Sequence, residues 1–261
     1  MKVLGIAATG MAAQQLNVEV IANNIANMST TGFKRARAEF QDLIYQSQRR
    51  QGSMSSDAGT IVPAGVELGL GVKPAAVTRI NTQGTLTLTN NKLDVALEGR
   101  GYLVVTLPDG TEAYTRAGNL QKSAEGQVVT VDGYEISPGI VIPDNARDIV
   151  INRSGEVMAY IDGQTDPQLL GQLELANFVN EAGLEALGDN LFRETPASGQ
   201  PQTGVPGTDG FATLRQGYVE ASNVNVVDEM TALITAQRAY EMNSKVVQAA
   251  DQMSQTATNM R

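Results

Sequence analysis

The 261-residue chain contains no cysteine, no histidine and no tryptophan. Without cysteine there is neither a disulfide framework nor thiol chemistry. Without histidine the commonest zinc ligand and general base are missing. Ser-His-Asp triads, Cys-His dyads and standard zinc centres are excluded, and only carboxylate catalysis and oxygen-ligand metals stay open. Aromatics are sparse at 5%, yet 42% hydrophobic residues suffice to bury a core in one or two domains. Positive charge is also scarce, with a formal net charge of −9. Residues 46–218 carry twelve Lys/Arg against twenty Asp/Glu, residues 1–45 four against three, and residues 219–261 three against five. An acidic body lacks the clustered cations that phosphate contacts need, so neither nucleic acid nor anionic lipid is an expected partner. The cluster Lys34, Arg35 and Arg37 and the pair Arg49–Arg50 read as solvated loops. No run approaches the ~18 consecutive apolar residues of a membrane span, so no membrane insertion is expected. Lys2 followed by a loosely apolar stretch resembles a secretory leader, but Gly5, Thr9 and Gly10 interrupt it. The stretch reads as part of the folded protein, which would leave the cytoplasm without a cleaved leader.

Little else in the chain points to chemistry. Gly69-Leu70-Gly71 and Gly99-Arg100-Gly101 lack the third glycine and the strand-to-helix setting of a nucleotide fingerprint. Asp144, Asp148, Asp162 and Asp166 lack calcium-loop spacing. Paired carboxylates of the glycosidase kind have no apolar pocket signature beside them. Asn152-Arg153-Ser154 matches a glycosylation sequon, a pattern short enough to arise by chance. No enzyme activity, cofactor or metal site is predicted.

The ends of the chain carry the clearest pattern. Leu4, Met11, Val18 and Ile25 are spaced by seven, with Ala7, Ile21 and Met28 on a second row. Val226, Leu233, Tyr240 and Val247 repeat by seven, as do Ala239, Val246, Met253 and Met260. A seven-residue repeat draws a narrow seam along a helix, and a seam needs a partner helix, from the same chain or from another copy. Between Val3 and Met28 the only charge is Glu19. A lone surface helix carries charges on its wet side, so this one is expected to be covered on most sides. Its many asparagines lower helix propensity, so in isolation it should be marginal. The helix should stop near Met28, where Ser29-Thr30-Thr31-Gly32 supplies a terminal turn. A second short helix is predicted over roughly 35–47, with Phe40, Leu43 and Ile44 on one face. The C-terminal helix should run from Val226 to Met260, capped by Asn225, with Asp228 and Glu229 in its first turn and Arg261 at its end.

Between the ends the signals are of another kind. Residues 51–73 are rich in Gly and Ser without a period and read as an extended linker. From 75 to 217 short β-prone runs alternate with turns, among them Tyr102 to Leu107, Val128 to Val131, Ile149 to Ile151, Val157 to Ile161 and Leu173 to Val179. Asp-Gly pairs at 109, 132, 162 and 209 are hairpin signals. Thr195 to Gly210, with three prolines, reads as a long loop. The predicted fold is α+β: N- and C-terminal helices pairing in a coiled-coil-like bundle and flanking a central all-β domain, barrel- or sandwich-like. The predicted segments are 1–45 (helix and turn), 46–74 (linker), 75–217 (β-domain) and 218–261 (helix). The predicted assembly interface is Leu4, Met11, Val18, Ile21, Ile25, Met28, Val226, Leu233, Tyr240, Val246, Val247 and Met253.

Two longer motifs resemble a known family. Ala22-Asn23-Asn24-Ile25-Ala26-Asn27 with Thr31-Gly32-Phe33-Lys34 resembles the N-terminal signature of the bacterial flagellar rod and hook proteins. Ser222-Asn223-Val224-Asn225, Glu229-Met230 and Ala236-Gln237-Arg238-Ala239-Tyr240-Glu241 are similar to its C-terminal signature. Gly99-Arg100-Gly101-Tyr102 and Tyr114-Thr115-Arg116-Ala117-Gly118 resemble its β-domain. Asp42-Leu43-Ile44-Tyr45-Gln46 and Gly69-Leu70-Gly71-Val72-Lys73-Pro74 are similar to the linker of the branch that builds the distal rod; hook members are longer. The resemblance implies a structural subunit that polymerises with itself into a rigid hollow helical shaft carrying motor torque to the hook. Implied partners are other rod proteins, the hook protein, the outer-membrane and peptidoglycan rings as bushing, and the flagellar export apparatus. The implied location is the basal body, across the periplasm. A proximal rod or hook-type subunit, or a secreted β-domain binding module on a coiled-coil stalk, is the alternative.

Overall fold

The computed structural model describes residues 2–49, 51, 64–162 and 166–259, without the side chains of Lys2 and residues 257–259. The chain divides into two compact units. The first is assembled from residues 1–25, 36–78 and 225–261, the second from 26–35 and 79–224.

The first unit holds both helices. Helix α1 spans Lys2–Ala26, 25 residues or about 38 Å. Helix α2 spans Val226–Asn259, 34 residues. The Asn225 side chain caps α2 by accepting from the Val227 N–H at 3.1 Å. Met260 and Arg261 lie outside the described residues. The rest of the unit is a β-ribbon. Strand Ala36–Asp42 pairs with Val72–Arg79, and Tyr45–Arg49 pairs antiparallel with Val66–Gly69. The Leu43 N–H donates to the Gly71 carbonyl at 2.9 Å, joining the two ladders.

The ribbon replaces the helix predicted over 35–47. Three apolar residues gave that helix too small a face to bury, and Ile44 is 79% exposed. Pairing with residues 66–79 satisfies the same backbone, so long-range hydrogen bonds override a weak local preference. Part of the segment read as a linker is thereby strand. Its Gly/Ser-rich centre, 52–63, lies outside the described residues.

The second unit is the β-body. Its largest sheet runs Glu185–Gly188, Leu191–Arg193, Glu112–Thr115, Tyr102–Thr106, Glu135–Ile136, Val128–Val129, Gln121–Lys122. Leu175–Asn177 also pairs with Tyr102–Thr106, and Gln202–Gly204 with Leu175–Asn177. Ala146–Ile151, Glu156–Ile161 and Gln168–Gln172 form a three-stranded sheet. Thr213–Gln216 pairs with Val95–Glu98, and Tyr218–Glu220 with Leu86–Leu88. The run Tyr102–Thr106 is nearly all apolar because both its faces are buried. Leu103 and Val105 join the main core with Leu97, Leu120, Ile136 and Leu214. Tyr102 and Val104 join a second cluster in which Tyr114 meets Phe178 edge-on, ring centres 4.8 Å apart.

The turn signals divide by location. Asp109-Gly110 joins two paired strands, and so does Asp132-Gly133, with both glycines at positive φ. Gly163 lies outside the described residues. Asp209-Gly210 is not a hairpin, because the strands before and after it pair with Leu175–Asn177 and Val95–Glu98. The loop read over 195–210 carries one of those strands. Gly32 is not the cap of α1. It sits six residues beyond Ala26 at φ 72°, where a Cβ would lie 2.9 Å from the Ala117 nitrogen.

Candidate assembly interface

Within the first unit, the buried line of the two helices is made, apart from Ile21, of small and polar residues. Ala7, Ala13 and Ile21 are buried on α1, and Ala236 and Ala250 on α2. Asn24 and Glu229 are buried with them, at 1% and 6% exposure. The Asn24 Nδ2 donates to Glu229 Oε2 at 3.1 Å and to the Ala36 carbonyl at 2.8 Å. Its Oδ1 accepts from the Ala36 N–H at 2.9 Å. At the other end of the seam a Cβ on Gly10 would lie 2.9 Å from Asn243 Nδ2. The Asn243 side chain thus lies over Gly10, in the space a Cβ would take. Residue 10 beside 243 and residue 24 beside 229 make the pair antiparallel.

The predicted interface residues fall on both sides of this seam. Ile21 is buried; Leu4, Met11, Val18, Ile25, Val226, Leu233 and Val247 are half-buried. Met28, Tyr240, Val246 and Met253 are exposed. The heptad rows picked out large apolar residues and passed over Asn24, Glu229 and Ala236, because small and polar residues carry no hydrophobic signal. Their seven-residue spacing (229, 236, 243, 250) was the available clue.

Pairing leaves much apolar surface uncovered. Val227, Met230 and Ile234, at spacings of three and four, point away from Glu229 and Ala236 and are 71%, 53% and 49% exposed. Met242, Val246 and Met253 extend the exposed apolar surface along α2. Val3 and Ile6 are exposed on α1, whose exposed side carries one charge in its described part, Glu19. Two grooves line the pair, of about 550 Å³ (Gln14, Asn17, Thr231, Thr235, Ala239) and about 330 Å³ (Gln15, Val18, Gln237, Tyr240, Glu241).

In the second unit Lys34 and Arg116, each from a signature motif, meet in a buried ion cluster with Glu220. Glu220 accepts from Lys34 Nζ at 2.5 Å, from the Gly84 N–H at 2.8 Å and from Arg116 Nε at 2.7 Å. Arg116 also donates to the carbonyls of Gly101 and Gly99, and Lys34 to that of Thr82. All three side chains are at most 5% exposed. Burial, then the Arg116 charge beside it, pushes the Lys34 pKa down. Burial would raise the Glu220 carboxyl, but Arg116, Lys34 and the Gly84 N–H outweigh it and hold it below its ordinary value. Lys34 is thus no part of a solvated loop. Its partner Glu220 is 186 residues away, and no local pattern shows that. Asn223 works beside the cluster: its Oδ1 accepts from the Arg35 N–H and its Nδ2 donates to the carbonyls of Ile80 and Thr82. Residues 31–35, ahead of which α1 ends, and residues 220–223, after which α2 begins, are tied into one body.

Among the described residues there is no metal-type cluster of acidic side chains and no helix long and apolar enough to cross a membrane. Three family profiles match the chain: "Flagella basal body rod protein" over 4–34, "Flagellar hook protein FlgE/F/G D1 domain" over 96–159, and "Flagellar basal body rod FlgEFG protein C-terminal" over 215–260. The class is that of the flagellar axial proteins, structural subunits that associate with themselves and with one another. The chain is 61% identical to the flagellar basal-body rod protein FlgG of Caulobacter vibrioides over 261 residues, all of both chains. It is 57% identical to FlgG of Agrobacterium fabrum over 97% of each. Against the rod protein FlgF of Caulobacter vibrioides identity falls to 34%, over 92% of this chain and 89% of that one. The chain belongs to the flagellar basal-body rod family, on its FlgG side, and is a structural component of the basal body rather than an enzyme.

Proposed function

We propose that the chain builds the distal part of the rod, polymerising into a rigid hollow helical shaft that carries motor torque to the hook. The observation that carries this reading is the uncovered apolar surface of the helix pair. A monomer gains nothing from exposing Val227, Met230, Ile234 and Met242, whereas a polymer buries them at each contact. The greater identity to FlgG than to FlgF favours the distal segment. In this reading the interface of each copy comprises Leu4, Met11, Val18, Ile21, Ile25, Met28, Val226, Leu233, Tyr240, Val246, Val247 and Met253, with Val227, Met230 and Ile234 added. Residues 1–45 and 218–261 form the inner wall, 75–217 the outer body, and 46–74 bridge neighbouring copies. The shaft crosses the periplasm, turns inside the peptidoglycan and outer-membrane rings, and joins other rod proteins and the hook protein. The subunit leaves through the flagellar export apparatus.

Ile234→Asp tests this. Ile234 faces away from the seam, so the purified variant should melt as the wild type does. In cells it should be exported yet build no rods, because each contact would bury an unpaired carboxylate. Normal rods and swimming would refute the reading.

A further inference from the structure

We propose that Met230, Met242 and Met253 of α2 are a modification site, and that their oxidation to sulfoxides by hydrogen peroxide withdraws the chain from assembly. The proposal rests on the rod reading for what covers the α2 surface. Composition directs a peroxide to methionine. Thiols are absent, as are histidine and tryptophan, while nine methionines are present. The structure then sorts the methionines. Met242, Met253, Met230 and Met28 are 66%, 64%, 53% and 46% exposed. Met11 and Met158 are half-buried, and Met1, Met54 and Met260 lie outside the described residues. Three of the four open thioethers therefore lie on α2, and the fourth lies two residues beyond the end of α1. The described strands carry only the half-buried Met158.

Their places on α2 give the oxidation its effect. Met230 stands three residues after Val227 and four before Ile234. Met242 stands four residues before Val246, and Met253 seven after it. Such spacings put each set on one side of the helix, so both exposed apolar patches of α2 contain a thioether. Neither patch belongs to the buried clusters of the β-body. In the reaction the thioether sulfur attacks one peroxide oxygen. The O–O bond breaks, an S–O bond forms, and the second oxygen leaves as water. Sulfur is oxidised and peroxide reduced, and the product is a polar sulfoxide. In a free chain that sulfoxide stays hydrated. Packed beside Val227, Ile234 or Val246 against another copy it loses its water, a cost the thioether does not carry. Assembly in turn closes the sulfurs to peroxide.

The test treats the full-length chain with hydrogen peroxide and follows each methionine by peptide mass spectrometry. Met230, Met242 and Met253 should gain oxygen before Met11 and Met158, while circular dichroism and the melting of the β-body stay unchanged. The oxidised chain should lose polymerisation, read by pelleting and electron microscopy. It should regain it after methionine sulfoxide reductases of both stereospecificities, with a dithiol as reductant, return the sulfoxides to thioethers. A chain carrying Met230→Leu, Met242→Leu and Met253→Leu keeps the apolar surface without the sulfurs, and should polymerise before and after the same treatment. In preformed polymer the three methionines should oxidise more slowly than in the free chain. Oxidised wild type that still polymerises overturns the proposal and leaves the rod reading standing. So does a triple variant that peroxide stops, which would place the damage at other residues, and so does full repair of the three sulfurs without return of polymer. An untreated chain that forms no polymer overturns the rod reading, and the proposal with it.

Discussion

Glu220 holds two buried cations, and its removal has a cost that can be stated in advance. Glu220→Gln keeps the shape but leaves Lys34 and Arg116 desolvated without a counter-charge, which costs about 3–5 kcal/mol. The second unit should melt roughly 10 °C lower, as followed by circular dichroism. A melting point within a degree of wild type would show that the carbonyls of residues 82, 99 and 101 suffice. The same carboxylate sets an acid limit. Its folded pKa is held below the ordinary 4.5, so its stabilisation is present above that pH and drains away as pH falls through the folded value. The melting difference between wild type and Glu220→Gln should therefore shrink below about pH 4.5. A difference that stays constant down to pH 3 would assign the acid response to other carboxylates. The motifs that hold Lys34 and Arg116 were legible as signatures, but their meeting at Glu220 was not. Charge read along the chain says solvent, and only the fold brings residues 34, 116 and 220 together.

Elements legible in the sequence were those whose reasons are local. The heptad rows and the Asn225 cap placed α1 and α2 to within two residues of their described ends. Asp-Gly marked two tight hairpins for the same reason, since the turn's positive φ is a property of the turn itself. The ribbon was misread because the partner of Ala36–Asp42 lies about thirty residues on, beyond a Gly-rich stretch that carries no period. The helix seam was half legible: its large apolar neighbours and Ala7 showed, and Ala13, Ala236, Ala250, Asn24 and Glu229 did not. Leu233→Asp separates the seam from the rest. Leu233 is half-buried four residues from Glu229, and a carboxylate there opposes a buried one. Helical signal should fall, and rods should fail to elongate, while the melting of the second unit stays where it was. A lowered melting point of that unit would mean that its core depends on α2.

For the molecule as a whole, the account joins a β-body with a core of its own to a helix pair whose surface is unfinished. Stiffness is assigned to residues 46–74, which expose Val66, Leu68 and Leu70 among their described residues. Deleting 52–62 should leave a folded, exported subunit that builds a softer, more hook-like tube, measured as a shorter persistence length in electron micrographs. Unchanged stiffness would remove that role from the segment. The central claim is that the terminal helices are completed by other copies of the chain. A cryo-EM map of the intact basal body, with this chain traced into the rod, tests it most directly. The account predicts Val227, Met230 and Ile234 buried against neighbouring copies in the inner wall. A rod in which those three residues face water, or in which the helices are covered by a different protein, would contradict it.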